Sequence, residues 1–393
     1  MNKYKCLFLF IFCALLISCS SSPETPVADE ELPNEPSLEL TEIARVSNIN
    51  DEIFFTAFRK IMLTSDGHVI LNDWRQQALL YFDGEGNFLE KIGREGRGPG
   101  EFADLRDLLL APGDTIHTFD RNNARHQIFA QVDGSWKQVQ EYPLEQKFSE
   151  ELHSFYPEKV YPRDEDSYWA LYRNNIGIKD TTTMYHEWMT PVNTDLEPLT
   201  EEKRLLGPAE VTLVARTEYS MVSSSHPNSF KTFAEFDSEL ELLHRAYNRD
   251  ATIRILDLDG NEQDRIQLPF ENVRFDEERK QEHLENLKSN DSYDNAAVSR
   301  AEDLYLEHRA YILQFVMDNQ KRYWIQIPRQ DETTPDWIVV NFDGSLAGSF
   351  RVQDQFEGLQ SFTLSAVRNN RLYGYAYSEN RELFLVIWEV EGL

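Results

Sequence analysis

The chain has 393 residues, enough for one large closed architecture or for two ordinary domains. It carries 68 acidic residues against 39 basic ones, a formal net charge of −29. That balance argues against nucleic acid as a partner, because counterion release from phosphates needs clustered lysine and arginine, and it equally disfavours electrostatic docking on anionic lipid.

Residues 1–18 read as a removable leader. Asn2-Lys3-Tyr4-Lys5 is a short basic region, and Cys6 to Ile17 is a nearly unbroken apolar run too short to span a bilayer comfortably. The run ends Leu16-Ile17-Ser18-Cys19, which resembles a bacterial lipobox. The resemblance implies cleavage before Cys19 and acylation of that cysteine, by palmitate or a similar chain. The protein would then be held in the cell envelope, at the outer membrane, by its N-terminal lipid. An ordinary signal peptide with an incidental cysteine is the competing reading. Cys6 and Cys13 fall inside the leader, so the mature chain would keep Cys19 alone, without a disulfide or a thiolate metal site. Residues 19–37 are rich in Ser, Pro, Glu and Asp and cannot bury enough apolar surface to order themselves, which predicts a flexible tether.

From residue 38 onward the pattern is short strands punctuated by turns. Leu38 to Val46 alternates as a strand, placed to complete the last blade of a closed propeller and remove its exposed edge. Ile61-Met62-Leu63, Val69-Ile70-Leu71 and Leu79-Leu80-Tyr81-Phe82 form a first unit over about 53–93. A glycine-rich stretch, Gly93-Arg94-Glu95-Gly96-Arg97-Gly98-Pro99-Gly100-Glu101-Phe102, joins it to a second unit over about 102–145. Gly67, Asp73 and Phe82 recur as Gly113, Asp120 and Phe129, a period of 46–47 residues with several strands per unit. Such a period predicts an all-β fold, a β-propeller.

Later units are fainter. A third is expected over Ser154–Leu199 and a fourth over Val211–Pro269, the latter taking in Thr212-Leu213-Val214-Ala215, Ser220-Met221-Val222 and Leu240-Glu241-Leu242-Leu243. Residues of about 271–308 are rich in helix formers and lack strand punctuation, which predicts a helical insertion of two helices between late blades. Strands resume at Tyr311-Ile312-Leu313-Gln314-Phe315-Val316 and continue to Leu383-Phe384-Leu385-Val386-Ile387-Trp388. Six units fit, giving a six-bladed propeller over 38–393.

The stretch Gly93 to Phe102, with strands ending Phe119-Asp120-Arg121 and Gln127-Ile128-Phe129, resembles the NHL-type propeller repeat and its GPGEF-like linker. Together with the lipobox, the N-terminal strand and the insertion, it is similar to the six-bladed β-propeller lipoproteins of Gram-negative bacteria. The resemblance implies a fold and an address and carries over no catalytic residue. GPGEF-like linkers are missing before the later blades.

No HExxH, GxSxG or P-loop is present. His117 and His126 share one unit, where a hydrogen-bonded structural pair competes with a channel-facing ligand. No catalytic residue, metal site or cofactor is assigned. Asp73-Trp74-Arg75 and Asp120-Arg121 fall at matching strand ends, hence on one face, with Arg97 beside them. These six are the candidate ligand rim, although both aspartates also suit bonding to turn amides. The local positive charge would favour a carboxylated glycan or an acidic peptide. High aromatic content (17 Tyr, 7 Trp, 24 Phe) suits blade packing, with Trp74 or Trp188 as candidates for glycan stacking. Three functional readings follow: a lipid-anchored envelope module binding a protein or glycan partner; an envelope hydrolase or lyase, metal-dependent or not, with its site in the central channel; and an assembly subunit.

Overall fold

In the computed structural model, described for residues 36–50, 54–144, 156–179, 182–216, 221–225, 230–268, 277–290, 295–305, 310–328, 336–356 and 358–393, the chain is a six-bladed β-propeller. The leader, Cys19 and nearly all of the tether expected over 19–37 lie outside the described residues.

Strand β1 (Glu39–Val46) is the closing strand. Blade one holds β2 (Phe58–Leu63), β3 (Val69–Asp73), β4 (Ala78–Phe82) and β5 (Phe88–Ile92), and blade two holds β6 (Leu108–Ala111), β7 (Thr115–Asp120), β8 (Arg125–Val132) and β9 (Ser135–Pro143). Their middle strands are covered on both faces by neighbouring blades. That is why Val69 to Asp73 and Ala78 to Phe82 are buried at every position, while β5 and β9, facing outward, alternate with exposed residues. Phe102 seals the junction between the two blades. It is fully buried against Phe129, at 5.5 Å between ring centroids. Gly93 makes room for it: its backbone is left-handed (φ +72°), and a Cβ there would stand 2.1 Å from the Phe102 ring.

Blade three departs from this scheme. It has five strands: β10 (Lys159–Asp164), β11 (Ser167–Lys179), β12 (Thr182–Asn193), β13 (Arg204–Arg216) and β14 (Met221–Ser225). The fourth unit expected from Val211 therefore begins too early. Thr212 to Ala215 and Met221-Val222 belong to blade three, because β13 continues the meander from β12 (Met189 opposite Arg204, Thr182 opposite Leu213) and then turns back into β14. Strands of 12 and 13 residues run on past the blade body and obscure the period on which the sequence reading relied.

Blade four is β15 (Thr232–Asp237), β16 (Leu242–Tyr247), β17 (Thr252–Leu256) and β18 (Glu262–Gln267). Its inner strand was missed because TFAEFD alternates without an apolar run. Leu240 and Glu241, expected in a strand, form the turn before β16, with Leu240 exposed and Glu241 left-handed (φ 53°). Helices α1 (Glu277–Ser289) and α2 (Asn295–Leu304) follow, where the insertion was expected. They bury Leu284, Leu287, Val298 and Ala301 around Leu213 of β13.

Blade five is β19 (Gln314–Met317), β20 (Arg322–Ile327), β21 (Asp336–Asn341) and β22 (Leu346–Phe350). A single turn, α3 (Val352–Gln355), leads to β23 (Leu359–Arg368), β24 (Arg371–Ser378) and β25 (Leu383–Glu391). The ring closes as expected: β1 pairs antiparallel with β25, from Glu39 opposite Glu391 to Val46 opposite Leu385. Leu38 and Leu40 enter the core between blades five and six with Trp337, Trp388 and Phe350. Among the described residues no helix is long and apolar enough to cross a membrane.

Candidate functional site

Up-and-down strand order divides the turns between two faces. Turns joining the second and third strands of a blade share one face with the linkers between blades. That face carries Asp73 to Arg75, the Gly93–Phe102 linker, Asp120-Arg121, the insertion and the extended ends of blade three. All six sequence-assigned rim residues lie on it, over blades one and two.

Asp73 and Asp120 lie beneath the rim, fully buried. Asp73 accepts from Thr56 N at 2.8 Å, from the Thr56 hydroxyl, and from Gln76 N at 3.2 Å. Asp120 accepts from Ala103 N at 2.8 Å, Asn123 N at 3.0 Å and Asn123 Nδ2 at 2.7 Å. Each carboxylate thus ties its turn to the incoming linker 17 residues upstream. Carboxylates saturated by amide donors hold geometry and are poorly placed to meet a ligand.

The basic residues divide by partner. Arg125 is 7% exposed and clamps the glycine linker, donating to Arg97 O at 3.2 Å and Glu101 O at 2.6 Å. Gln127 holds the same segment through Gly100 N at 3.1 Å. Arg94 pairs with Glu101 at 2.8 Å. Arg121 pairs with Asp107 at 3.2 Å and lies over the Tyr156 ring. Arg75 is exposed, its guanidinium 5.5 Å from the ring of half-buried Trp74. Arg97 is exposed, and among the described residues its side chain makes no hydrogen bond or ion pair.

Arg97 borders a cleft of about 380 Å³ on blade two, completed by Asn123, Ala124, Arg125, Glu141, Tyr142 and Pro143. One guanidinium faces solvent, and a second is rigidly held beside Glu141 at 3.4 Å. Tyr142 supplies an aromatic face, 5.9 Å from the ring of His126. The cleft can therefore take an anionic group at Arg97 and stack a flat or sugar-like surface on the tyrosine. Sequence reasoning reached Arg97 and missed Asn123, Glu141 and Tyr142. The last two close the outer strand, where exposed polar residues carry no signal of their own.

His117 is buried, its Nδ1 3.0 Å from Nε2 of His126, in a stack continued by Phe119 and Tyr156. Burial lowers the His117 pKa to about 4. Both rings belong to the interior between blades two and three. Trp188 is likewise fully buried, stacked on Tyr172 at 4.1 Å, and is not available to a glycan. Among the described residues no group of three or more His, Cys, Asp or Glu is arranged to hold a metal ion.

A second polar assembly, unseen in the sequence, lies where blades three and four meet the mouth of the channel. Glu187 is buried between Arg173 at 2.9 Å and Arg245 at 3.1 Å. Arg173 reaches on to Glu158 at 3.6 Å and Glu210 at 3.7 Å. On the inner strands Lys159 pairs with Glu235 at 2.7 Å. Burial opposes the Lys159 charge, but the Glu235 carboxylate outweighs it and raises the pKa. Lys60 of blade one donates to Leu108 O at 3.0 Å and Glu158 O at 3.1 Å, linking three blades at the mouth.

The family described as a 6-bladed beta-propeller (DUF5128) matches residues 37–203, which span the closing strand, blades one and two and the first three strands of blade three. No curated protein matches the chain. Among solved structures, a Bacteroides fragilis protein assigned as exported aligns with 92% of this chain and 98% of its own, at 12% identity and a TM-score of 0.53. A member of the DUF4221 family from Bacteroides vulgatus aligns with 91% and 99%, at 11% identity and a TM-score of 0.49. The family match and the first of these structures agree with the strand pairing: the chain is a six-bladed β-propeller.

Proposed function

We propose that the protein is a lipid-anchored binding module of the cell envelope, akin to the NHL-like six-bladed lipoproteins, that recognises an acidic partner on its linker face. The supporting observation is the cleft beside Arg97, where a side chain free of bonds among the described residues stands over an aromatic floor in a chain of net charge −29. A carboxylated glycan is the ligand class that suits it best, since Arg97 takes the carboxylate and Tyr142 the sugar face. Buried Asp73 and Asp120 hold the rim in shape, and exposed Arg75 and Arg121 border the approach. The anchor is Cys19, and the outer membrane is the expected location.

Two measurements test this reading. Titration with uronic-acid oligosaccharides should give saturable binding that Arg97→Glu abolishes; equal affinity in wild type and variant would remove the cleft from consideration. Cys19→Ala should move the protein from the membrane to the soluble fraction. Unchanged fractionation would sink the lipid anchor.

A further inference from the structure

The chain has seven tryptophans, and six of them are buried, none more than 5% exposed. Those six fill the spaces between blades, as large aromatic side chains do. Trp74 alone stays half-buried at the surface, on the linker face of blade one. Its neighbours share that exposure. Arg75 is exposed, its guanidinium 5.5 Å from the Trp74 ring centroid. Phe54 is 44% exposed, and its carbonyl accepts from Gln76 Nε2.

The turn that carries Trp74 is held from both sides. Asp73 accepts from Gln76 N at 3.2 Å and from Gln76 Nε2 at 3.0 Å. Gln77 donates to Trp74 O at 2.6 Å and accepts from Leu105 N at 2.7 Å. Two residues before Leu105, Ala103 O accepts from Asn122 at 3.3 Å, beside Asn123 of the Arg97 cleft. Blade one thus presents an aromatic ring and a cation on a fixed turn, and blade two repeats the pairing with Tyr142 and Arg97 on the same face. Neither Arg75 nor Arg97 is ion-paired among the described residues, in a chain of net charge −29.

We infer, building on the carboxylated-glycan reading of the Arg97 cleft, that the ligand of the linker face is an extended polyuronate, a glycan with carboxylates on successive sugars. It is gripped at the cleft and again at Trp74 and Arg75. Arg75 takes a further carboxylate of the same chain, and Trp74 with Phe54 takes the apolar face of a sugar ring. This second contact is intramolecular once the cleft is filled, so it strengthens binding of long ligands and not of short ones.

The test is titration of the full chain with uronic-acid oligomers of increasing length, by calorimetry and by tryptophan fluorescence. The emission change reports Trp74, because the other six indoles are buried. Short oligomers should bind at the cleft without moving the emission. Oligomers long enough to span both blades should shift it and bind about tenfold tighter or more, the gain of a tethered second contact. Arg75→Met should abolish that gain and return long oligomers to the affinity of short ones, whereas Arg97→Glu should remove binding at every length. Affinity that does not rise with length, a rise that survives Arg75→Met, or binding of long oligomers without a change in emission would each overturn the second subsite and leave the cleft standing. No binding at any length, or binding indifferent to Arg97→Glu, would overturn the cleft and the extended ligand together. An oligoglutamate peptide that binds as tightly as the long oligomers would overturn the assignment to a glycan.

Discussion

Blades two and three lie side by side and solve the same packing problem differently. Blade two keeps the repeat. Its strands are short, its interior is Ile116, Phe119, Ile128 and Phe129, and its polar groups serve turns and the glycine linker. Blade three has a fifth strand and three strands that overrun the blade body. Beyond Trp169 and Leu171 its contact with blade four changes from apolar to ionic, through Arg173, Glu187 and Arg245. A regular blade is stable by burial alone, whereas an extended one must pair the charges that its extra length carries inward.

The largest expected effect breaks the ionic side of this comparison. Glu187→Ala leaves Arg245 buried without its counter-charge and should cost about 3–5 kcal/mol in denaturant unfolding. Adding Arg245→Met should recover much of it. If the single variant costs no more than a surface substitution, the ionic junction is not what joins blades three and four.

Acid sharpens the comparison from the other side. His117 in blade two and His244 in blade four are both buried with pKa values lowered to about 4. For His244, burial is the main cause, Asp237 opposes it and Lys321 adds to it. Between about pH 6.5 and pH 4 the unfolded chain binds protons that the folded chain excludes, so stability falls as pH drops through that window. Full loss amounts to on the order of 3 kcal/mol for each histidine. Denaturant midpoints from pH 7 to pH 4.5 should decline, and His117→Asn should flatten the decline. A slope unchanged by the substitution would mean that carboxylates alone carry the acid response.

The smallest effect tests the regular blades against each other. Asp73→Asn and Asp120→Asn each weaken bonds to a linker amide, and each should cost about 1–2 kcal/mol by equilibrium unfolding. Because the two carboxylates occupy the same place in the repeat, the losses should agree. A clear difference would show that one of them does more than hold its turn.

The two regions also explain how much was legible in the sequence. The period from Gly67, Asp73 and Phe82 to Gly113, Asp120 and Phe129 exposed blades one and two, since short strands buried on both faces must be apolar and their turns must be Asp- and Gly-rich. Arg97 was legible for the same reason, lying in the linker that the period defines. Blade three was divided wrongly because strands of 12 and 13 residues cover the spacing of two ordinary ones. The inner strand Thr232–Asp237 was missed because it lines a polar channel and needs no apolar run.

By itself, then, the sequence determined the architecture, the closing strand and the helical insertion, all of which follow from local periodicity and composition. Only the tertiary structure decided the sites. The cleft joins a linker arginine to the end of an outer strand, and the ionic junction joins Arg173 and Glu187 of blade three to Arg245 of blade four. Contacts across a closed ring join residues distant in the chain, and no local pattern encodes which of them will meet.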